Sequence, residues 1–434
     1  MRDPVAAYHA LLGDGDLAAA SSEALAEGQR ASRLMFGDRP LSVALRPQFL
    51  TRARFERAVR ASQGVYSALE ALERAVLSDA SLRAELALEP EEERLAMADP
   101  GGRSSSPSAR LDSFFADEIR FVEYNAESPA GMAYGDHLSA VFERLPVMKA
   151  FRKRFRGRFL STRRRQLATM LRAFKQWGRS ARPVIAIVDW SGLPTAPEFE
   201  MFKAFFEAQG VRTVICDPRA LEFRRGKLYA SGAHINLVYR RVLTSELLAR
   251  GDETRALRDA YMAGVVCVVN SFRAKLLHKK MSLALLSDHR YSRLYTPAQR
   301  AAIRRHVPWT RRVRPELAEE IAKRRDTLVL KPNDEYGGKG VVLGWTVDQA
   351  TWEAAVEAAT TQSYVVQAAV EIPRVSFPVA LGGLRYLDLA VDLDPYLFDG
   401  RAGGIMTRVS AEALLNVTAG AGSLVPTFVI EGSQ

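Results

Sequence analysis

Residues 327–345 have the sequence TLVLKPNDEYGGKGVVLGW, and this stretch gives the clearest indication of the fold. Its apolar ends alternate as strands do, and the polar middle predicts a loop between them. Glycines in such a loop let backbone amides approach phosphate oxygens closely, and lysines add positive charge. The residues concerned are Lys331, Gly337, Gly338, Lys339 and Gly340. The spacing differs from GxxxxGK[ST], so this is not a Walker A loop, and a hairpin turn that only needs glycine is the alternative.

Helix and strand patterns continue toward the C-terminus. Thr346 and Gln349 have the spacing of a capping box before the helix VDQATWEAAVEAAT, and YVVQAAV, which contains Gln367, predicts a strand. The backbone of that strand could pair with the edge of an adenine ring, and an ordinary strand with one polar face is the alternative. Further strands alternate with Gly-rich turns, whose chemistry explains neither Arg408 nor Asn416.

A second patterned region lies earlier, where RLDSFF and IRFVEYN alternate with period two around a polar AlaAspGlu. If the two segments form an antiparallel hairpin, residues whose numbers sum to 235 face each other. Asp112 then lies opposite Glu123, and Arg110 lies opposite Asn125. All four side chains are predicted to share one face of the hairpin.

The chemistry of this face suits phosphate transfer. Two carboxylates and an amide oxygen are hard ligands of the kind that Mg²⁺ prefers, and Mg²⁺ also binds nucleotide phosphate. An arginine two residues from the first carboxylate would meet the charge on a transferred phosphoryl group. A cross-strand charge pair on an exposed face is the alternative. The next pair inward, Phe114 with Phe121, is predicted to pack beneath.

The rest of the chain divides by its hydrophobic pattern. Residues 4–98 carry apolar residues at helical spacing, and GGRSSSPSA after them predicts a linker or loop. Residues 183–240 predict an α/β unit, and GVVCVVN predicts another buried strand. KLLHKKMSLALLSD is predicted to be helical, and Lys280 within it would ordinarily be a solvated side chain.

The composition restricts the class of protein. The chain has 434 residues, a formal net charge of +11 and only two cysteines, Cys216 and Cys267, which excludes a disulfide framework and a zinc cluster. The apolar runs are too short to cross a bilayer, and the first residues lack the pattern of a signal peptide. A cytoplasmic protein without a membrane partner is therefore expected.

The positive charge is concentrated in residues 149–182, where thirteen Lys or Arg occur without Asp or Glu. Phe151, Phe155, Phe159 and Trp177 are interleaved with them, which would suit contact with nucleic acid. Aromatic residues at four-residue spacing more often form the buried stripe of a helix. The stretch therefore predicts a basic helical segment with a solvated face.

The order of the motifs along the chain is more specific than any one motif. The chain resembles the circularly permuted ATP-grasp family, which includes glutathionylspermidine synthase-like ligases, over roughly residues 109–430. The motifs that carry the resemblance are, in order, R-x-D, FVEYNAES, LVYRRV, VVNSFRAKLLHKKMSLALL, LVLKPNDEYGGKG, YVVQAAVEIP and GGIMTRVS with LLNVTAGAGS. In that family the metal-binding strands precede the nucleotide-binding strands, the reverse of ordinary ATP-grasp enzymes.

The resemblance implies roles for the residues above. Asp112, Glu123 and Asn125 match the magnesium ligands, and Arg110 matches the catalytic arginine. The predicted nucleotide-binding residues are Lys280, Lys331, Gly337, Gly338, Lys339, Gly340, Gln367, Ala368, Val370 and Arg408. The candidate acid-binding residues of the substrate site are Arg241 and Asn416. Relatives carry AsnLys where this chain has Lys279 and Lys280, so Lys275 or Lys279 are alternatives to Lys280.

The fold implied is α+β, a circularly permuted ATP-grasp core with an α/β pre-ATP-grasp-like unit and a helical N-terminal region. The predicted divisions are a helical region at 1–100, the metal-binding hairpin with the basic segment at 101–182, the α/β unit at 183–270 and the nucleotide-binding region with its glycine-rich lid at 271–434.

The function implied is an ATP-dependent carboxylate–amine ligase that uses ATP and Mg²⁺, forms an acylphosphate and releases ADP and phosphate. Its partners would be a small-molecule or peptide carboxylate and an amine. The alternatives are an aminoacyl-tRNA-dependent or nucleic-acid-binding variant, a non-catalytic nucleotide-binding module and a plain small-molecule kinase. The sequence identifies neither the two substrates nor the oligomeric state.

Overall fold

The computed structural model describes residues 3–178, 182–415 and 421–433, in which helices and strands alternate along the chain. The helices are α1 (Pro4–Leu12), α2 (Gly15–Ala31), α3 (Arg52–Ser78), α4 (Ala80–Ala84), α5 (Pro90–Met97), α6 (Met132–Arg144), α7 (Pro146–Arg152), α8 (Arg163–Gln176), α9 (Ala196–Ala208), α10 (Thr244–Ala249), α11 (Arg255–Met262), α12 (Lys275–His278), α13 (Met281–Ser287), α14 (Pro297–His306), α15 (Ala318–Lys323) and α16 (Gln349–Thr361). The strands are β1 (Met35–Phe36), β2 (Arg39–Pro40), β3 (Gln48–Thr51), β4 (Ser108–Phe115), β5 (Ile119–Asn125), β6 (Phe155–Phe159), β7 (Ile185–Val188), β8 (Thr213–Cys216), β9 (Glu222–Arg224), β10 (Lys227–Ala230), β11 (Ala233–Ile235), β12 (Leu237–Arg240), β13 (Cys267–Val269), β14 (Thr310–Arg312), β15 (Leu328–Pro332), β16 (Val342–Leu343), β17 (Tyr364–Ala368), β18 (Arg374–Ala380), β19 (Leu384–Val391), β20 (Asp394–Phe398), β21 (Arg401–Ser410), β22 (Ser423–Val425) and β23 (Thr427–Ser433).

The N-terminal region is largely helical, as predicted, and it also supplies strands to the rest of the molecule. Strand β3 pairs in parallel with β23, which in turn pairs antiparallel with β6. The long helix α3 places Val65, Leu69 and Leu72 in one buried cluster with Leu111 of β4 and Tyr124 of β5. Because buried apolar side chains provide most of the free energy of folding, α3 fixes the back of the β4–β5 hairpin.

Residues 183–269 contain the predicted α/β unit. Its parallel strands lie in the order β13-β12-β7-β8, and helix α9 connects β7 to β8. Because the chain leaves β7 in one direction and returns through β12 on the other side, the carboxyl ends of these two strands border a crevice. Asp189 follows β7 at this edge and Arg241 follows β12.

Two antiparallel sheets carry most of the residues that the sequence singled out. One has the order β18-β19-β21-β20-β4-β5, with β22 paired to β21, and the other has the order β14-β17-β15-β16. The first contains the acidic hairpin and Arg408. The second contains Lys331 on β15 and Gln367 on β17, and the glycine-rich loop joins β15 to β16.

The hairpin register at the acidic end is confirmed. Asp112 pairs with Glu123, and Arg110 pairs with Asn125, so these four residues lie on one face of β4–β5 as the sum rule predicted.

The prediction for the next pair, Phe114 with Phe121, is wrong. The register shifts by one residue after Asp112, so that Phe121 pairs with Ser113 and Phe114 pairs with Arg120. Val122 is the extra residue of a β-bulge, which places Phe121 on the opposite, buried face. A bulge cannot be read from period-two alternation, since it interrupts that period.

The basic stretch is not helical throughout, because β6 lies between α7 and α8. Phe151 and Phe155 stack at 4.6 Å between ring centroids and are almost fully buried against Phe428 and Phe49. These two rings therefore belong to the core and are not available to stack on nucleic acid bases.

Two further local predictions change. The capping box of Thr346 and Gln349 is wrong, because Asp348 is the N-cap of α16 and accepts a hydrogen bond from the Thr351 amide. The segment KLLHKKMSLALLSD forms two helices instead of one, with a break between His278 and Met281. Within the described ranges, no helix combines the length and the apolar content that crossing a bilayer requires.

Candidate functional site

Asp112 lies at the centre of the acidic face, and both of its carboxylate oxygens accept hydrogen bonds. Arg110 donates to both of its oxygens, from Nε to Oδ1 at 2.6 Å and from Nη2 to Oδ2 at 2.9 Å. Asn125 Nδ2 donates to Oδ1 at 2.8 Å, and Arg408 Nη2 donates to Oδ2 at 3.0 Å. Burial raises the pKa of Asp112, but the two guanidinium groups outweigh it and hold the pKa at about 2. This carboxylate is therefore ionised at neutral pH.

Arg408 connects Asp112 to two carboxylates that the sequence analysis missed. Its Nε donates to Asp392 at 2.6 Å, and its Nη2 donates to Asp394 at 3.0 Å. Asp394 is fully buried, and burial together with the nearby Asp112 and Asp392 raises its pKa well above the usual range. The segment AVDLDP, with two aspartates two residues apart among apolar residues, was the signal for a shared strand face.

Two lysines reach this face, Lys331 from β15 of the second sheet and Lys280 from the break between α12 and α13. Lys280 Nζ lies 3.1 Å from Glu123 Oε1, and Lys331 Nζ donates to the carbonyl of Val122 at 3.1 Å and to Gln367 Oε1 at 2.7 Å. Val122 is the bulge residue, so Lys331 donates a hydrogen bond to a backbone carbonyl at the point where the strand pairing is interrupted. Burial lowers the pKa of Lys331 to about 8.

The three candidate lysines around the helix break divide into two that share a carboxylate partner and one that contacts the acidic face. Lys275 and Lys279 both contact Asp334, at 2.6 Å and 3.1 Å. Lys280 alone of the three contacts Glu123, so it is the one at the acidic face. This geometry favours Lys280 over Lys275 and Lys279 as the lysine that meets a bound phosphate.

The glycine-rich loop is held at its start and exposed at its tip. Gly337, Gly338 and Gly340 all adopt positive φ angles, which explains why these positions are glycine. Tyr336 donates a hydrogen bond to Glu246 of α10 at 3.1 Å. The side chain of Lys339 is 76% exposed.

A cavity of about 490 Å³ lies at the end of β17, where the adenine hinge was predicted. Ala368 and Val370 line it together with Trp309 and Arg120 of the hairpin. The amides of Ala368 and Ala369 donate to backbone carbonyls, whereas the Val370 amide has no hydrogen-bond partner among the described residues. A free main-chain donor in a cavity of this size suits a planar heterocycle.

The buried side chain of Gln367 points toward the lysine and away from the hinge. It accepts a hydrogen bond from Lys331 and donates one to Thr310 Oγ1 at 3.0 Å. Gln367 therefore orients Lys331, and the main chain after it borders the cavity.

The two candidate acid-binding residues differ in what can be said of them. Arg241 is buried, donates from Nη1 to the Pro129 carbonyl at 2.8 Å and lies 3.6 Å from Glu198. Its Nη1 is thus committed to neighbouring residues, whereas its buried Nε has no hydrogen-bond partner among the described residues. Asn416 lies outside the described residues.

The oxygen atoms of the acidic face can be compared with the ligands that Mg²⁺ requires. The described residues hold no group of three or more His, Cys, Asp or Glu arranged for a metal, yet Mg²⁺ usually takes one or two carboxylates and completes its shell with phosphate and water. Glu123 Oε2 and Asn125 Oδ1 have no hydrogen-bond partner among the described residues. Asp112 would have to release one N–H donor. The residues fit the ion on these terms.

The charges around the face are of both signs. Arg110 and Arg408 pair with Asp112, Arg408 also pairs with Asp392 and Asp394, and Lys280 pairs with Glu123. Burial raises the pKa of Asp392 and of Asp394, so these two carboxylates do not fully cancel the positive groups.

The fold and this arrangement define an ATP-grasp protein. Residues 60–410 match the sequence pattern of circularly permuted ATP-grasp type 2 proteins, and the chain belongs to that family. This confirms the family and the α+β fold that the motifs implied. ATP-dependent ligase is accordingly the class of the chain.

The solved structures to which this chain is similar are distant from it in sequence. A glutathione synthetase-like effector from Globodera pallida, in its apo form, is 12% identical over 99% of this chain and 98% of its own, with a TM-score of 0.60. A provisional gamma-glutamylcysteine synthetase from Methylobacillus flagellatus KT is 11% identical over 79% of this chain and 83% of its own, with a TM-score of 0.42. A search of curated protein sequences found no match.

Proposed function

We propose that this protein is an ATP-dependent carboxylate–amine ligase that works through an acylphosphate and releases ADP and phosphate. The observation that carries the proposal is that Lys331 of the second sheet and Lys280 of the break between α12 and α13 both contact β5 of the acidic hairpin. Lys280 lies 3.1 Å from Glu123, and Lys331 lies 3.1 Å from the Val122 carbonyl. The residues predicted for the metal and for the nucleotide are thereby adjacent, as transfer of a γ-phosphoryl group requires.

The nucleotide would lie along β17 and β5. The hinge cavity would hold the adenine, with the Val370 amide as a donor to a ring nitrogen. The triphosphate would then pass Lys331 and Lys280 toward Glu123 and Asn125, under the amides of the glycine-rich loop. Mg²⁺, held by Asp112, Glu123 and Asn125, would neutralise phosphate charge.

In the first step, a carboxylate oxygen of the acid attacks the γ-phosphorus and the bond to the β–γ bridging oxygen breaks. ADP leaves, and the acid becomes an acylphosphate. Arg110 is placed to stabilise charge on the transferred group, because its buried guanidinium is held in one orientation by Asp112 and by the Ala130 carbonyl at 3.1 Å.

In the second step, an amine attacks the acyl carbon, the carbon–oxygen bond to phosphate breaks, and the amide forms as the amine loses a proton. Water competes for the same carbon. The exposed glycine-rich loop is the part of the site that can close over the intermediate and exclude water.

Isotope transfer is the decisive experiment. The purified chain is incubated with ATP, Mg²⁺, a pool of ¹⁸O-carboxyl-labelled acids and a pool of amines, and the products are analysed by mass spectrometry. We expect ADP, an amide, and phosphate that carries one ¹⁸O from the acid. Omission of the amine pool is expected to reduce turnover strongly.

Other products would reject the proposal. Formation of AMP and pyrophosphate would indicate acyl-adenylate chemistry. Phosphorylation of a small molecule at full rate without an amine would indicate a kinase, and nucleotide binding without turnover of any pool would indicate a non-catalytic module.

A further inference from the structure

The start of the glycine-rich loop is tied to a buried group of charges that the proposed reaction does not use. Asp334, the second residue of NDEYGGKG, contacts Lys275 Nζ at 2.6 Å and Lys279 Nζ at 3.1 Å. The side chain of Lys275 is not exposed at all, and that of Lys279 is 5% exposed. Two buried lysines thus converge on one loop carboxylate.

A helix of the N-terminal region supplies the other half of this group. Glu92 on α5 lies 3.3 Å from Lys275 and 2.8 Å from Lys279, and its own side chain is 2% exposed. Glu127 contacts Lys275 at 3.3 Å and Arg240 at 2.9 Å. Three cations and three carboxylates therefore balance, which is the condition under which buried charges persist.

The same loop start also holds the break between α12 and α13. The Asn333 side chain accepts a hydrogen bond from the Met281 amide at 2.9 Å, and its carbonyl accepts one from the Lys280 amide at 3.0 Å. The Lys280 ammonium donates to the Glu335 carbonyl at 2.6 Å. The position of Lys280 at the acidic face thus depends on where residues 333–335 are held.

We propose that Glu92 and Asp334 are positioning residues that hold the start of the glycine-rich loop, and with it Lys280, in the geometry that meets the nucleotide phosphates. Lys275 and Lys279 take part as the cations that join these two carboxylates. The inference rests on the proposed function for its nucleotide, and on the contacts above for the loop.

The physical reason lies in the charge balance. Removing either carboxylate leaves Lys275 and Lys279 with one buried partner fewer, and an uncompensated buried charge is strongly unfavourable. The free energy then falls if the two lysines move toward water or toward other carboxylates. Lys279 directly precedes Lys280, so such a movement would displace the break that carries Lys280. The loop start loses its anchor in the same event.

The test uses Glu92→Gln and Asp334→Asn, which keep the shape of each side chain and remove its charge. Glu91→Gln is the matched control, because Glu91 is on the same helix and pairs with exposed Arg94. Limited trypsin digestion without nucleotide measures cleavage after Lys339, the exposed lysine of the loop. Equilibrium titration with a fluorescent ATP analogue and Mg²⁺ measures nucleotide affinity.

We expect both variants to be cleaved after Lys339 about tenfold faster than the wild type, and the dissociation constant of the nucleotide to rise about tenfold. In steady state, KM for ATP should rise while kcat changes by less than about threefold. The Glu91→Gln variant should match the wild type in all three measurements.

A role in stability alone would look different. If the midpoint of thermal unfolding falls while cleavage after Lys339 and nucleotide affinity match the Glu91→Gln control, measured well below each midpoint, the proposal is overturned. Should Glu92→Gln not fold, Asp334→Asn decides alone, because its side chain lies at the edge of the group and is 21% exposed. If the wild type binds no nucleotide, the proposed function fails, and the digestion still decides the anchoring of the loop.

Discussion

The acidic face of β4–β5 and the glycine-rich loop are both predicted to touch phosphate, and they are built in opposite ways. On the face, Asp112 by itself accepts four hydrogen bonds, its neighbour Arg110 is buried, and the side chain of Arg408 is 25% exposed. In the loop, the tip is exposed, and strong contacts occur only at its start and at Tyr336.

The difference indicates a division of labour. Groups that stabilise a developing charge work best when they are fixed in advance, since they then need no reorganisation during the reaction. A segment that admits substrate and afterwards excludes water must move, and a chain with few buried contacts moves at low cost. The comparison therefore predicts large effects on chemistry from the face and smaller effects from the loop.

The largest effect is expected at Glu123. We predict that Glu123→Gln lowers turnover by about a thousandfold or more, because it removes a charge that, in the proposed function, would face the metal and phosphates. ADP release measures turnover, and Glu222→Gln on the exposed β9 strand is the control. Near-normal turnover of Glu123→Gln would contradict the assignment of this face to the metal.

A substitution at Asp112 is expected to affect both turnover and the free energy of unfolding. Asp112→Ala should lower turnover by a similar factor, and in addition it should lower the free energy of unfolding by about 3–5 kcal/mol, because it leaves the buried Arg110 without its carboxylate partner. Chemical denaturation measures the loss. An Asp112→Ala protein as stable as the wild type would show that Arg110 finds another partner.

Lys331 should affect binding more than chemistry. Lys331→Met is expected to raise KM for ATP about thirtyfold with a smaller change in kcat, since in the proposed function the lysine would contact phosphate in the ground state as well as in the transition state. Its stability should not fall, because burial already lowers the pKa of Lys331 to about 8 and thus disfavours its charged form. A large loss of kcat with an unchanged KM would place Lys331 in the chemical step instead.

The same pKa predicts opposite pH trends for binding and stability. Above pH 8 Lys331 loses its proton in the folded protein, so nucleotide affinity should weaken by up to about tenfold per pH unit. Between pH 8 and the ordinary lysine pKa, Lys331 is protonated more often in the unfolded chain than in the folded chain. The contribution of Lys331 to the free energy of unfolding of the nucleotide-free protein should therefore increase as pH rises. Lys331→Arg should keep its affinity across this range, and a parallel loss of affinity in that variant would assign the titration to another group.

The smallest effect is expected in the loop. Gly338 has φ +78° and a Cβ there would lie 3.0 Å from the Leu414 side chain, whereas Gly337 has φ +65° and open space around it. Alanine at either position costs about 1–2 kcal/mol of local strain, and we expect kcat to fall about fivefold in Gly337→Ala and further in Gly338→Ala. Equal kcat values for the two variants would show that contact between Gly338 and the Leu414 side chain does not matter for turnover.

The fold followed from the order of the motifs along the chain and their resemblance to a known family, whereas single pairings followed from local signals. The pairing of Asp112 with Glu123 followed from period two, and the glycines of the loop from the φ angles they adopt. The bulge at Val122 and the cap at Asp348 could not be read, since each depends on where a neighbouring strand or turn ends. The division of the chain at residues 100, 182 and 270, and the roles of the site residues, stay predictions.

By itself, the sequence determined the order of the motifs, the faces of the strands and the residue types of the site, because hydrophobic period and glycine placement act over a few residues. Only the tertiary structure decided which charges meet. Asp112 meets Arg408, and Lys280 meets Glu123, although the members of each pair are far apart in the chain. Which of the three neighbouring lysines lies at the acidic face depends on the break between α12 and α13, which leaves Lys275 and Lys279 on Glu92 and Asp334 and places Lys280 on Glu123.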